Sequence, residues 1–193
     1  MKTLDLTRRT HTVVDSPIGK LTLVATDGAL AGVYMEQHRH RPPEQSFGEL
    51  DSRPFAEAIR QLEEYFAGSR TSFELPLILA GTEFQRRVWA GLRDIGYGET
   101  VSYGQLADRL GSPTASRAVG LANGKNPISI IVPCHRVVGS MGSLTGYGGG
   151  LERKQFLLDF EARVSGATGK LFDAYGNAPH PTTTGSLALK SYP

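Results

Sequence analysis

The stretch ISIIVPCHRVVG, residues 128–139, holds the only cysteine of the 193-residue chain. A thiol is a strong nucleophile as the thiolate, and reaching that state takes a base within hydrogen-bond reach. Cys134 has His135 beside it, and Pro133 before it fixes the approach at the end of an apolar, β-branched run. A lone cysteine is also a small buried hydrophobe in many proteins, but the Pro-Cys-His-Arg setting argues against that alternative. Glu161 is the second candidate. It lies among Leu157, Phe160 and Val164, where a glutamate is either a surface charge beside an apolar stripe or an inward one that needs a partner. Paired with His135 it would complete a set of nucleophile, base and orienting carboxylate. The third feature is SLTGYGGG, residues 143–150. Its glycines allow close backbone approach to a flat or bulky ligand, and Tyr147 can stack or donate a hydrogen bond. The glycine spacing fits neither a phosphate loop nor a dinucleotide fingerprint. A flexible entry to the next helix is the plain alternative.

Pattern and punctuation give the elements that must carry these residues. HTVVDS, KLTLVAT and ALAGVYM are short strand-like runs separated by the turn signals SPIG and DG, which predicts a three-stranded meander. Residues 36–51 are polar and contain prolines, which predicts a loop. A helix is expected over 53–67, capped by Asp51 or Ser52, with Pro54 in its first turn and Gly68 at its end. TSFELPL reads as another strand. Thr82 caps a helix over 83–94, with Phe84, Val88, Trp89 and Leu92 at helical spacing. Two short helices follow, 103–110 and 114–124, joined by Gly-Ser-Pro. That is the outline of a helix-turn-helix, shared by any ordinary helical hairpin. SIIVP reads as a buried strand ending at Cys134. The last helix, 151–164, is expected to bury Phe156, Leu157, Phe160 and Val164. The division is an N-terminal α/β domain over 1–77, a C-terminal domain over 78–165 and a disordered tail over 166–193 rich in Pro, Gly and Thr.

Composition narrows the classes. The chain is 39% hydrophobic, as a globular protein is. It contains no apolar run of about 18 residues, so no membrane span is expected. The start, MKTLDLTRRTHTVV, lacks a secretory apolar block. One cysteine cannot form an internal disulfide, which suits a reducing cytosol, and one Cys with five His argues against a Cys-rich zinc site. The net charge of +2 is uneven. Residues 1–79 carry 9 Lys+Arg against 11 Asp+Glu, while residues 80–165 carry 10 against 7. The cysteine half is the positive half, a weak pull toward a polyanion. Two functions compete, a cysteine hydrolase and a DNA-directed protein that uses its thiol on nucleic acid. The helix pair and the positive half favour the second.

NPISIIVPCHRVVG, with TGYGGG downstream and SYGQLA and SRAVGLANG upstream, closely resembles the O6-alkylguanine-DNA alkyltransferases, also called methylated-DNA–protein-cysteine methyltransferases. The Asn-Pro pair lies eight and seven residues before the cysteine, in the family's order and spacing. The resemblance is strong over about 76–165 and looser over 10–75. It implies a ribonuclease-H-like N-terminal α/β domain and a mostly helical C-terminal domain with a winged-helix-like helix-turn-helix. The reaction it implies moves an alkyl group from guanine O6 in DNA onto the protein's own cysteine, once per molecule. O4-alkylthymine is a further substrate in view.

Residue by residue, the resemblance makes Cys134 the acceptor, His135 its base through a water, Glu161 the carboxylate that holds the histidine, and Asn126 the hinge that orders the site. Arg117 becomes the finger that fills the stack when the nucleotide leaves it. Tyr103 would lie near the rotating phosphate, and Ala115 and Ser116 at the helix that meets DNA. Tyr147, Gly148, Gly149 and Val137 would border the base, with Ser140 closing the loop. The implied partner is double-stranded DNA through its minor groove, with little sequence specificity, bound by a monomer. No cofactor is implied, and the family's N-terminal zinc site, where present, uses cysteines that this chain lacks. Relatives that only sense damage lack the acceptor cysteine; Cys134 argues against that alternative, as the helix pair does against the hydrolase.

Overall fold

The computed structural model describes residues 8–166, so the expectation for the tail lies outside the described residues. Strands β1 (Arg9–Val14), β2 (Leu21–Thr26) and β3 (Ala29–Met35) form the expected antiparallel meander. The β2–β3 hairpin closes on Asp27 and Gly28, both at positive φ (48° and 81°), as a two-residue turn matching strand twist requires. The loop after β3 is more ordered than its polarity suggests. It holds a 3-10 turn, Glu44–Phe47, and a two-residue strand, β4 (Glu49–Leu50), which pairs parallel to β1 and gives the sheet order β3-β2-β1-β4.

Both sheet faces are covered. Leu21, Leu23 and Ala25 join Phe55, Ala58, Leu62 and Tyr65 in the main core. Val24 on the other face packs with Tyr34 and Phe47. Phe55 closes a 3-10 turn that leads into helix α1 (Ala56–Phe66). Neither Asp51 nor Ser52 caps α1, because the 3-10 turn comes between and puts Phe55 at its N-cap; Asp51 instead accepts from the Arg53 amide at 3.1 Å at the start of that turn. TSFELPL does not form a strand. Only Leu77 bridges to Leu30, because Pro76 has no N–H for a ladder and Gln61 instead takes both Glu74 backbone groups, at 2.9 and 3.0 Å.

Helix α2 (Glu83–Arg93) begins on a reciprocal Thr82–Gln85 capping box and buries Val88, Trp89 and Leu92. A short strand, β5 (Val101–Ser102), leads into α3 (Tyr103–Arg109), itself capped by a Ser102–Gln105 box. A turn with Gly111 at φ 69° precedes α4 (Ser116–Gly124). The Trp89 indole donates to the Ala122 carbonyl at 2.8 Å and fixes α2 against α4. Strand β6 (Val137–Val138) pairs parallel to β5. Helix α5 (Leu151–Val164) closes the described chain.

SIIVP is fully buried but is not a strand. Ile128 makes one bridge to the β3 edge at Val33, and the chain then coils through short turns: Ile131 N to Ser129 O, Val132 N to Ile128 O and Cys134 N to Val132 O, all 2.8–2.9 Å. Ile130 sits at φ 72°, a strained conformation for a β-branched residue. Burial on all sides looks the same in a sequence whether the backbone is extended or coiled. The buried stripe of α5 is also not the expected one. It is Lys154, Leu157, Leu158, Glu161 and Ala162. Phe156 and Val164 are 37% and 38% exposed, and Phe160 is half-buried. Two charged residues occupy inward positions that hydrophobicity alone assigns to apolar ones.

Candidate active site

The coil before Cys134 is built by Asn126. Its carboxamide accepts from the Ile128 amide at 3.0 Å and donates to the Val132 carbonyl at 2.8 Å, so one buried side chain clamps both ends of the segment that delivers the cysteine. Cys134 opens a 3-10 turn, Cys134–Arg136, and its carbonyl accepts from Asn123 of α4 at 3.3 Å. The helix pair and the thiol are thus joined through one residue. The cysteine is buried, at 4% exposure. Burial pushes its pKa up, while Asn126, the Lys154 charge and Ser129 pull it down.

Glu161 is the inward glutamate, fully buried. Its Oε1 accepts from Tyr65 Oη at 2.7 Å, His135 Nε2 at 2.9 Å and Arg136 Nη2 at 2.9 Å. Its Oε2 accepts from Arg136 Nε at 2.8 Å and the Gly98 amide at 3.1 Å. Burial pushes this carboxyl up, but His135 and Arg136 more than reverse it and hold the group well below the usual carboxylate range. A carboxylate only accepts, so Nε2 of His135 carries the proton. Burial lowers the His135 pKa against the opposing pull of Glu161, which favours the neutral ring. Nδ1 is then a free acceptor, and it is buried with no hydrogen-bond partner.

The glycine loop lies against this group. Tyr147 is buried in the same cluster as Cys134, and its phenol is held protonated first by burial and then by the nearby thiol. Val137 is fully buried at the start of β6. Lys154 is fully buried and donates from Nζ to the Val137 carbonyl at 2.6 Å and to the Thr145 carbonyl at 2.7 Å. Burial lowers its pKa to about 8 against the attraction of Cys134. Tyr103 donates to the same Thr145 carbonyl at 3.1 Å. Its ring stands 3.6 Å from the place a Cβ on Gly120 would take, which lets it pack on α4.

Cys134, His135, Asn126, Glu161, Val137, Tyr147, Gly148, Gly149 and Tyr103 thus meet in one region. Arg117 stands exposed on the outer face of α4 beside Ala118, with Ala115 and Ser116 half-buried at the helix start. Ser140 does not join the others: it is exposed in the Gly139–Ser143 turn, and among the described residues its side chain has no hydrogen bond to the glycine loop. Sequence reasoning missed Arg136, Tyr65, Gly98 and Lys154. For Lys154 a signal existed, since it shares the 154-157-158-161-162 spacing with Glu161. Tyr65, 96 residues away from its partner, had none.

A buried thiol beside an oriented neutral histidine, tied to the second helix of a helix pair, is the arrangement of a protein that uses a single cysteine as a nucleophile next to a helical hairpin. The comparisons specify the family. Residues 10–79 match the 6-O-methylguanine DNA methyltransferase ribonuclease-like domain, and residues 83–163 match the 6-O-methylguanine DNA methyltransferase DNA binding domain. A methylated-DNA–protein-cysteine methyltransferase of Mycolicibacterium paratuberculosis is 55% identical over 163 residues, 84% of this chain and 98% of its own length. One from Methanosarcina acetivorans is 49% identical over 152 residues, 78% and 97% of the two chains. A crystal structure of Mycobacterium tuberculosis O6-methylguanine methyltransferase is similar at TM-score 0.75 and 50% identity, covering 80% of this chain and 93% of that one. A crystal structure of Mycobacterium tuberculosis OGT in complex with DNA is similar at TM-score 0.75 and 50% identity, covering 85% and 99%. This chain belongs to the 6-O-methylguanine DNA methyltransferase family, with its ribonuclease-like α/β domain followed by its helical DNA-binding domain.

Proposed function

We propose that this chain repairs O6-alkylguanine in DNA by moving the alkyl group irreversibly onto Cys134. The observation that carries the reading is the histidine's orientation. Glu161 holds His135 by Nε2 and leaves Nδ1 buried and unpartnered, next to the cysteine in sequence.

The thiol rests protonated, because burial raises its pKa. His135 Nδ1 takes the proton through a water, and the Glu161 carboxylate stabilises the imidazolium that forms, itself held in place by Arg136. The thiolate attacks the alkyl carbon. The S–C bond forms, the C–O6 bond breaks, and the electron pair leaves with guanine. The proton lost by the thiol is balanced by the one the leaving guanine takes up, so the products are guanine and a thioether. The Lys154 charge stabilises the thiolate electrostatically. Asn126 keeps the cysteine segment coiled toward the pocket.

The partner is duplex DNA, met at its minor groove by the small residues Ala115, Ser116, Ala118 and Gly120 of the α4 face. Affinity comes mostly from phosphates, so sequence specificity is low. Guanine O6 is out of reach of a buried thiol until the nucleotide leaves the stack. Arg117, exposed on that face, fills the place with its planar guanidinium. The extruded base lies between Tyr147, Val137 and the Gly148–Gly149 backbone, with Tyr103 near the rotated phosphate. The protein acts as a monomer, and a thiol kept free for this chemistry suits a reducing cytosol.

The experiment is the Cys134→Ser exchange. The variant is expected to bind an O6-methylguanine duplex as the natural protein does and to take no methyl from it. Methyl removal by Cys134→Ser would overturn the assignment.

A further inference from the structure

The glycine loop that would face the substrate base, residues 146–150, is neither helix nor strand, its one internal bond the turn from the Gly150 amide to the Tyr147 carbonyl at 3.2 Å. Tyr147 anchors its middle in the main core, and Gly149 packs so closely on Met35 that a Cβ there would overlap the sulfur. A cleft of about 730 Å³, lined by Ile18, Gln37, Gly149, Gly150, Arg153 and Phe156 among others, opens on that side. A glycine-rich loop with an open cleft along one side samples many shapes unless it is held, so its fixed points set the pocket.

Besides that core anchorage, two sets of hydrogen bonds and contacts fix it. The 145 side is held from the C-terminal domain, by Lys154 and Tyr103 on the Thr145 carbonyl. The 148–149 side is held by groups that reach to or from the N-terminal sheet. Arg153, next to Lys154 on α5, reaches the other way. It donates from Nε to the Ile18 carbonyl at 2.7 Å and from Nη1 to the Glu36 carbonyl at 3.3 Å and the Gly149 carbonyl at 2.9 Å. The Arg39 amide donates to the Gly148 carbonyl at 2.8 Å. His38, only 6% exposed, places its ring against Gly148 so closely that a Cβ there would overlap Nε2. Gly148 is not in the left-handed region, so the imidazole, not the backbone, bars a side chain at this position. Burial, with the charges of His40, Arg153 and Arg41, lowers the His38 pKa to about 4, and the ring packs as a neutral plate. It meets Tyr34 of β3 edge-on at 5.6 Å.

We propose that Arg153 and His38 are positioning residues for the base pocket: Arg153 ties the Gly149 carbonyl to the Ile18 and Glu36 carbonyls, and His38 occupies the volume beside Gly148, so the N-terminal sheet sets the shape of the substrate loop. This rests on the alkyl-transfer reading above. Neither residue touches the thiol, the histidine or the α4 face, so they act on transfer only through the loop.

The test uses the full chain and three measurements on each variant: single-turnover methyl transfer from a saturating O6-methylguanine duplex, affinity for the unmodified duplex, and methylation of Cys134 by iodomethane read by peptide mass. Arg153→Ala is expected to slow transfer about tenfold, through a displaced near-attack geometry. DNA affinity and iodomethane reactivity should stay within about twofold, because phosphate contacts and the thiol lie elsewhere. Gly148→Ala is expected to slow transfer in the same selective way, and adding His38→Ala should restore it by removing the overlap. Transfer unchanged in Arg153→Ala, all three measurements falling together, or Gly148→Ala unrescued by His38→Ala would each overturn the inference while leaving alkyl transfer standing. A natural chain that takes no methyl from the duplex would overturn the underlying reading and this one with it.

Discussion

Arg136 and Glu161 meet in a two-point contact inside the protein, Nε to Oε2 at 2.8 Å and Nη2 to Oε1 at 2.9 Å. The arginine's remaining nitrogen donates to the Ile95 carbonyl at 2.6 Å. The carboxylate that orients His135 is therefore also the counter-charge of a buried cation. Glu161→Gln keeps the shape but strands Arg136, and breaking one side of a buried pair costs about 3–5 kcal/mol. Burial would raise the Glu161 pKa, and His135 and Arg136 depress it well below the unfolded value. Its contribution is thus present above the unfolded carboxyl pKa and lost only as pH falls through the depressed one. Glu161→Gln is expected to melt about 10 °C lower at neutral pH, with the gap closing only in strong acid. Transfer should slow about tenfold or more as the histidine loses its orientation. Thermal melts from pH 3 to 8 check this, and equal melting at pH 7 contradicts it.

The parts legible in the sequence are those set by local chemistry. Thr82 with Gln85, and Ser102 with Gln105, announce capping boxes three residues apart. Asp27-Gly28 announces its turn. The Cys134–His135 adjacency is covalent, and Glu161 was separable from a surface charge only by asking what an inward glutamate would need. The rest depends on tertiary contacts. Ile128–Val132 is as apolar as a central strand, yet Asn126 coils it by taking its amide and carbonyl. The α5 stripe misleads because Lys154 and Glu161 are buried by partners far along the chain, Val137, Thr145, His135 and Arg136. The bracing of Gly148 by His38, 110 positions earlier, leaves no periodic trace.

Arg117 stands exposed on α4 and contributes little to packing. Arg117→Ala is expected to slow repair of an O6-methylguanine duplex about tenfold or more, because the vacated stack is no longer filled. Reaction with free O6-benzylguanine needs no flipping and should change by less than about twofold. Melting temperature should stay put. Equal losses on both substrates would remove the flipping role.

Lys154 has a pKa lowered by burial to about 8, against an ordinary 10.5. Between those values the unfolded chain binds more protons than the folded one, so this lysine's contribution to stability rises with pH through the window. Lys154→Met lacks that slope. From pH 7.5 to 9.5 the natural protein should gain on the order of 2 kcal/mol relative to Lys154→Met. Making the comparison in a Cys134→Ser background removes the opposite slope of the thiol, whose pKa burial raises and the Lys154 charge lowers. Parallel stability curves in urea at the two pH values would show that the lysine is not desolvated as its position requires.

The account's central claim is that one thiol is used once. A thioester would return its thiol to water, whereas a thioether offers no carbonyl for water to attack, and the chain has no second cysteine to accept the alkyl group. The direct measurement is titration with excess O6-methylguanine duplex, followed by intact-mass and peptide mass spectrometry. The expected result is a plateau at about one methyl per molecule, carried on Cys134 and absent from His135, with demethylated guanine in equal amount. Continued turnover past that plateau, or the label on any other residue, would contradict the account.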